Sequence, residues 1–124
     1  MYTMMQVCRE LDMTYQTLKF YCNEGLVPNV KRDHNNRRVF DEKDVKWIKD
    51  LTCLKKCGMS IQEMKKYLEL CLQGEATIVS RKKMLARKQE ELRASIKELE
   101  DSISYIGWKQ NFYDEVLSGK RPYV

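Results

Sequence analysis

A seven-residue repeat of isoleucine and leucine runs through the last third of the chain, between Thr77 and Leu117. Its members are Ile78, Leu85, Leu92, Ile96, Leu99, Ile103 and Ile106. Steps of seven residues, and of alternating three and four residues in the second half, place these side chains along one stripe of an α-helix. No proline interrupts the stretch, so the pattern predicts a single helix roughly 60 Å long, at about 1.5 Å per residue.

A helix of this length cannot bury its own apolar stripe. Few residues follow Leu117, and they are too few to cover it. The stripe therefore predicts that a second copy of the chain packs against it, which makes the protein a homodimer joined by a coiled coil. The alternative, in which the long helix folds back on its own domain, stays open.

The remaining length accommodates one small domain. At 124 residues the chain divides at Gly74 into a predicted domain over 1–74 and a dimerisation helix with a short tail over 75–124. The net charge of +5 is concentrated between Lys31 and Lys66, where eleven Lys and Arg residues face six Asp and Glu residues. A local basic surface on a compact domain predicts an anionic partner, most commonly nucleic acid.

The composition also predicts a compartment. No apolar run is long enough to span a membrane and the N-terminus has no signal-peptide pattern, so the chain is expected in the cytoplasm. Five cysteines without disulfide-like spacing fit a reducing environment. The single histidine, His34, falls in a predicted loop, and the sequence predicts no metal site, no cofactor and no catalytic site.

Two short helices open the chain. Thr3 is suited to cap the first, and Thr14 is suited to cap a second over 15–24 that Gly25 ends. Two helices joined by three or four residues form a helix-turn-helix. The second helix then exposes its first turns, which reach base edges when such a helix enters a major groove.

A hairpin, or wing, is predicted next. Two short extended pieces, Val27–Val30 and Val39–Phe40, flank a polar turn at Asn35-Asn36. Four basic residues decorate it: Lys31, Arg32, Arg37 and Arg38. On a wing these side chains form a surface that contacts phosphates.

Two more helices complete the predicted domain, so the fold class is mainly α. Asp41 with Asp44 caps a third helix that runs to Cys57 and stops at Gly58. Ser60 with Glu63 forms a capping box that opens a fourth helix, which Gly74 ends.

This order of elements resembles the MerR family of bacterial transcription regulators. The residues that carry the resemblance are Tyr2-Thr3, the segment from Thr17 to Tyr21, Glu24 to Pro28, Arg38-Val39-Phe40 and Gly58 to Ile61. The chain departs from the usual family pattern at Lys19, Phe20 and Asn36-Arg37.

The resemblance implies a winged helix-turn-helix dimer whose long helices pair as an antiparallel coiled coil. It implies binding to double-stranded promoter DNA in the bacterial nucleoid, distortion of that DNA when an effector binds, and contact with RNA polymerase. The implied DNA contacts are Thr14, Tyr15, Gln16, Thr17, Lys19, Phe20, Tyr21, Lys31, Arg32, Asn36, Arg37, Arg38 and Lys55.

Cys53 is the predicted effector-sensing residue. On a helical wheel it lies away from the apolar stripe of the third helix, with Lys49 and Lys56 one turn to either side. Nearby cations stabilise a thiolate, which is the nucleophilic form of cysteine. The stretch from Trp47 through Cys53 to Leu85 also resembles the MerR branch that senses aldehydes and related electrophiles, with its shared cysteine at Cys53.

Other effectors fit less well. The chain ends at Val124, so the extra C-terminal domain of large drug-binding relatives is not expected. No Cys or His follows Cys71, which disfavours the metal-sensing branch. The aromatic residues near the end of the long helix, Trp108 and Phe112 among them, are interpreted first as packing. If the long helices pair antiparallel, as the resemblance implies, Trp108 and Phe112 of the partner's helix would instead wall a small effector pocket near Cys53, with Cys57 beside it.

Several alternatives remain at this level. Cys53 is either a sensor or a dimer-contact or surface cysteine. The chain is either a regulator that senses an electrophile, a regulator with a metal or non-thiol effector, or an architectural DNA-binding module. An enzyme that uses Cys53 as nucleophile is disfavoured, because no histidine is placed to act as its base.

Overall fold

The computed structural model describes residues 1–124 and is mainly helical. Its elements, in chain order, are β1 (Tyr2–Thr3), α1 (Met4–Leu11), α2 (Tyr15–Asn23), β2 (Lys31–Arg32), β3 (Arg38–Phe40), α3 (Glu42–Lys56), α4 (Ile61–Leu72), a 3-10 turn (Glu75–Thr77) and α5 (Ile78–Leu117). The chain forms two compact units, Met1–Leu85 and Ala86–Val124. None of its helices combines the length and apolar composition needed to cross a membrane.

Helices α1 and α2 form the predicted helix-turn-helix. Thr3 caps α1 through a capping box, in which its hydroxyl accepts from the Gln6 N–H while the Gln6 side chain accepts from the Thr3 N–H. Asp12 ends α1 with a φ of 52°, a left-handed conformation that a short polar residue tolerates. Thr14 then caps α2 by accepting from the Thr17 N–H. Both predicted caps are therefore confirmed.

The wing differs from the prediction in its first strand. Residues 27–30 form a turn, because Asn29 has a φ of 58° and cannot continue an extended strand. The strand that pairs with β3 is instead β2, which places Arg32 opposite Arg38. The sequence did not predict β1, which pairs with the other edge of β3 and gives an antiparallel sheet in the order β1-β3-β2.

Helices α3 and α4 begin at the predicted caps. The Asp41 carboxylate accepts from the Asp44 N–H at 2.8 Å, and the Asp44 carboxylate accepts from the Asp41 N–H at 3.0 Å. Ser60 and Glu63 make the equivalent pair of bonds at the start of α4. Gly58 lies between the two helices with a φ of 85°, which L-residues rarely adopt.

One core holds the first unit together. It contains side chains from both helices of the helix-turn-helix, from β3 and from the α3–α4 pair. Its fully buried members are Val7, Leu18, Leu26, Phe40, Ile48, Leu51, Met59 and Met64. Trp47 lies at its edge, where its indole Nε1 donates to the Leu26 carbonyl at 2.8 Å. The core thus fixes α2, which is the predicted recognition helix, relative to the wing and α3.

A tight corner joins α4 to α5. Gly74 turns the chain with a φ of 83°. Thr77 is buried there, and its hydroxyl lies within hydrogen-bonding distance of the Leu70 and Gly74 carbonyls. Arg81, one turn into α5, donates from Nη2 to the Gly74 carbonyl at 2.6 Å. The first turns of α5 therefore belong to the compact unit that ends at Leu85, beyond the predicted boundary at residue 74.

Helix α5 has 40 residues, and none of its side chains is buried within the chain. Gly107 lies inside it without a break. The seam predicted from the heptad pattern is exposed along its length, from Ile78 and Leu85 through Leu92, Ile96, Leu99 and Ile103 to Ile106. Charged pairs such as Lys97 with Asp101 line other faces of the helix.

Candidate nucleic-acid interface and thiol cleft

The first turns of α2 present polar and aromatic side chains to solvent. Tyr15, Gln16 and Lys19 are exposed there, as the sequence predicted. Thr14 and Thr17 are tied to each other, because the Thr14 hydroxyl donates to the Thr17 hydroxyl at 2.8 Å. The two threonines therefore hold the N-terminus of the helix, while their exposed neighbours form the surface that a groove would meet.

Phe20 and Tyr21 have different environments. The Phe20 ring is 45% exposed, so it is available to a partner. Tyr21 is only 4% exposed and belongs to the core, where burial raises its pKa. Its ring faces inward beside Leu18 on the buried side of α2, and its contact with DNA stays a prediction.

The wing and the recognition helix share a cleft. This cleft has a volume of about 520 Å³, and its walls come from the chain start, from α2 and from the wing: Thr3, Met4, Met5, Tyr15, Arg32, Asp33, Asn36, Arg37, Arg38 and Val39. Its three guanidinium groups outnumber the single carboxylate of Asp33, so the surface beside α2 is basic. Such a surface suits a DNA backbone that passes between the helix and the wing.

The four wing cations have different tasks within the fold. Arg32 donates to the Asn36 carbonyl at 2.9 Å, which braces the turn, and Arg38 donates to the Asn23 side chain at 2.7 Å, which ties the wing to the end of α2. Arg37 is exposed, and its guanidinium makes no hydrogen bond or ion pair within the chain. Arg37 is therefore the wing arginine with all of its guanidinium donors available to a phosphate, while Arg32 and Arg38 each use one N–H group within the fold.

Lys31 is part of the α3 cap. Its Nζ lies 2.8 Å from the Asp41 carboxylate and 3.6 Å from that of Asp44. The hydrogen bond from Lys31, helped by the Asp44 N–H, lowers the pKa of Asp41 to about 2, and the same contact raises the pKa of Lys31. Lys31 therefore stabilises the junction of wing and α3 in the free protein. Lys55, the other backbone contact implied by the resemblance, is exposed near the end of α3.

Cys53 lines a second cleft, which borders the core at Trp47, Leu54 and Leu68. The cleft has a volume of about 490 Å³ and is formed entirely by residues of the first unit. Its walls come from α3, α4 and the first turns of α5: Trp47, Asp50, Cys53, Leu54, Tyr67, Leu68, Cys71, Arg81 and Leu85. Cys53 itself is exposed, so a small reagent can reach its thiol.

The sequence did not place Cys71 and Arg81 in this cleft. Cys71 lies near the end of α4, and its side chain is only partly buried. Arg81 Nη1 donates to the Cys71 sulfur at 3.9 Å. Gly74 is the feature of the sequence that could have predicted this contact. A glycine turn between two helices brings the end of the first, with Cys71, beside the start of the second, with Arg81.

Tyr67 and Asp50 add polar groups to the same walls. Partial burial raises the pKa of the Tyr67 hydroxyl, and the neighbouring Cys71 raises it further while Arg81 opposes the change. The cleft thus combines two thiols, a phenol, a carboxylate and a guanidinium with apolar walls. No group of three or more His, Cys, Asp or Glu side chains is arranged to hold a metal ion.

The other predicted pocket residues are at the end of α3 and on α5. Cys57 caps the end of α3, where it is exposed, and it does not line the cleft. Trp108 and Phe112 belong to the second unit, where their rings stack with centroids 5.9 Å apart. Trp108 also stacks on Tyr105, and 55% of its surface is exposed.

Comparisons with known proteins agree with this architecture. Residues 2–71 match the model of the MerR HTH family regulatory protein, and residues 45–106 match the model described as MerR, DNA binding. An uncharacterized HTH-type transcriptional regulator of Haemophilus influenzae is 33% identical over 114 residues, which cover 92% of this chain and 84% of that protein. The HTH-type transcriptional regulator AdhR of Bacillus subtilis is 37% identical over 87 residues, covering 70% of this chain and 62% of AdhR.

A solved structure extends the likeness to nearly the whole chain. HiNmlR, a MerR family regulator lacking the sensor domain, has been crystallised bound to promoter DNA. It superposes with a TM-score of 0.77 and 32% identity, covering 94% of this chain and 89% of the HiNmlR chain. This chain therefore belongs to the MerR family of helix-turn-helix regulatory proteins, which are DNA-binding transcriptional regulators and not enzymes.

Proposed function

We propose that this protein is a homodimeric regulator that binds double-stranded promoter DNA and changes transcription when an aldehyde or related electrophile reacts with Cys53. The observation that carries the DNA-binding part is the basic cleft shared by the wing and the exposed start of α2. The promoter complex of HiNmlR, which has the same fold, supports it.

The contacts divide by type. Tyr15, Gln16 and Lys19 are placed to reach base edges from the first turns of the recognition helix. Arg37 on the wing and Lys55 on α3 are placed to contact phosphates. Lys19 donates as a point charge and not as a fork, so its contribution is mainly electrostatic.

Dimerisation is proposed from the unpartnered seam of α5. Leu99 and Ile103 are 65% and 69% exposed in the single chain, and the seam has a coiled-coil pattern in its second half. Antiparallel pairing with a second copy would bury this seam and hold two winged domains at a fixed separation. Promoter distortion and contact with RNA polymerase follow from the family resemblance and remain part of the proposal.

The sensor assignment depends on the position of Cys53. Its thiol is exposed at the mouth of a cleft of about 490 Å³ that has apolar and polar walls, which suits a small reactive carbonyl compound. A thiol adds to an aldehyde carbonyl to give a hemithioacetal: the sulfur–carbon bond forms, and the oxygen takes up the proton lost by sulfur.

Transcription from the promoter of its own gene, with and without formaldehyde or methylglyoxal, tests this function. We expect the wild type to respond and Cys53→Ser to lose the response while it keeps its DNA affinity. Cys57→Ser is the matched control, since Cys57 is exposed at the C-terminal cap of α3 but does not line the cleft. An equal response of Cys53→Ser and wild type would remove the sensor role and favour a non-thiol effector or an architectural module.

A further inference from the structure

Cys71 differs from the other thiols of the chain in its contacts. Cys8 is buried in the core, Cys22 is partly buried beneath the wing arginines, and Cys57 is exposed at the end of α3. Cys71 lines the same cleft as Cys53 and accepts a hydrogen bond from the Arg81 guanidinium. An N–H donor with a positive charge stabilises negative charge on sulfur, which is the form that attacks an electrophile.

Arg81 is held in place by bonds that do not involve sulfur. Its Nε donates to the Thr77 hydroxyl at 3.1 Å, and its Nη2 donates to the Gly74 carbonyl at 2.6 Å. The guanidinium is therefore oriented by the corner between α4 and α5, and its remaining Nη1 is directed at Cys71. A donor fixed in this way needs no rearrangement to support a thiolate.

We infer that Cys71 is a second modification site in the cleft, a thiol that adds to small α,β-unsaturated carbonyl compounds with Arg81 as its positioning residue. The inference deepens the proposed function, because it rests on the cleft being the place where electrophiles react. In the addition, sulfur bonds to the β-carbon while the C=C π pair moves to the α-carbon. The α-carbon then takes up a proton, so no group leaves and no oxidant is needed.

Modification of Cys71 would also change the contacts at the corner between α4 and α5. A substituent on sulfur occupies the space in front of Arg81 Nη1 and leaves a neutral thioether, which is only a weak acceptor and cannot become a thiolate. Because the same guanidinium holds the Gly74 carbonyl and the Thr77 hydroxyl, the change is transmitted directly to the link between α4 and the first turns of α5. Cys53, on α3, has no such connection to the corner among its contacts.

Labelling rates of each cysteine in the native full-length protein test the inference. N-ethylmaleimide, an α,β-unsaturated carbonyl reagent, is added for a series of times, and each thiol is quantified by mass spectrometry after digestion. Cys22 is the internal control for burial, since it is also partly buried but lies outside the cleft. We expect Cys71 to react about fivefold or more faster than Cys22.

Arg81 variants then separate positioning from simple accessibility. Arg81→Gln should slow labelling of Cys71 several-fold and leave Cys57 unchanged, while Arg81→Lys should restore part of the rate by keeping the charge. If Cys8, which is buried, stays unlabelled by N-ethylmaleimide in each variant, the core is still folded. Labelling of Cys71 no faster than Cys22, or a Cys71 rate unchanged in Arg81→Gln, would overturn the inference.

The labelling of Cys71 can be interpreted whatever the transcription experiment on Cys53 shows. In a Cys53→Ser background, Cys71 should still be labelled at its wild-type rate, because Arg81 contacts Cys71 and not Cys53. A protein whose transcriptional response survives Cys53→Ser would contradict the proposed sensor, yet fast labelling of Cys71 would still support the second site. Loss of Cys71 labelling in Cys53→Ser would contradict a separate site.

Discussion

Individual cations on the wing have distinct roles, although the sequence presents them as one basic cluster. Arg32 and Arg38 hold the turn and the end of α2, and Lys31 belongs to the cap of α3. Arg37 alone among the four has a guanidinium without a hydrogen bond or ion pair in the chain. Lys31 is tied to carboxylates and must give them up to contact a phosphate, while Arg32 and Arg38 keep unused N–H donors.

Arg37→Gln should weaken DNA binding by removing one phosphate contact. We expect affinity to fall about equally for operator and unrelated DNA, with the slope of log affinity against log salt reduced by about 1. Fluorescence anisotropy over a salt series measures both. Lys83→Gln, which removes the same charge from an exposed position on α5, is the control; an unchanged slope in Arg37→Gln would contradict the assignment.

The contact between Lys31 and Asp41 should appear in the acid stability of the protein. The pKa of Asp41 is lowered from 3.8 to about 2, so its contribution to stability is present above pH 3.8 and is lost as pH falls through about 2. In Lys31→Met the pKa of Asp41 should return toward its ordinary value. The free energy of unfolding, measured with urea at low salt, should then fall less steeply over this pH window than in wild type.

Helix boundaries at the element scale are set by local chemistry. Three helices begin with a capping box: Thr3 with Gln6, Asp41 with Asp44, and Ser60 with Glu63. Each box satisfies two backbone N–H groups that the helix cannot satisfy itself. These boundaries depend on residues three apart in sequence, so they do not need the tertiary structure to be recognised.

Ser60→Ala should destabilise the first unit by about 1 kcal/mol, since it removes the hydroxyl that accepts from the Glu63 N–H. Urea denaturation followed by circular dichroism measures the change. Ser80→Ala, at an exposed position of α5, should change stability by no more than about 0.5 kcal/mol. Equal effects of the two substitutions would show that the cap contributes nothing specific.

At the scale of the whole molecule, the exposed seam of α5 leads to a prediction about assembly. Leu99→Glu places a charge in the middle of the proposed interface, so we expect dissociation into monomers in sedimentation velocity and a loss of cooperative DNA binding. Ala94→Glu, which lies on the outer face of the proposed coiled coil, should leave the dimer intact. A wild-type protein that sediments as a single chain would contradict the assembly proposed here.

The aromatic cluster near the end of α5 leads to a second prediction at this scale. Trp108 and Phe112 are proposed to wall the effector pocket from the partner chain. Trp108→Ala should therefore weaken the transcriptional response to aldehyde more than it weakens DNA binding. Tyr123→Ala, an exposed aromatic of the tail, is the control. Equal loss of response and of DNA binding in Trp108→Ala would argue for a purely structural role.

Much of the fold is determined by short-range pattern. The long helix follows from the heptad spacing of residues such as Leu92 and Leu99, and the helix starts follow from their caps. The exposed face of α2 follows from its 3.6-residue period, which separates Gln16 and Lys19 from the buried Leu18. These features persist because they arise from neighbours along the chain.

Tertiary structure decided which residues distant in sequence come into contact. It paired β1 with β3 and placed the Tyr21 ring in the core. It also brought Cys71 and Arg81 to the cleft of Cys53, where α3, α4 and the start of α5 meet. Periodicity assigns a side chain to one face of its own helix, but only the packing of helices determines which neighbour that face meets, and therefore which thiols share a site.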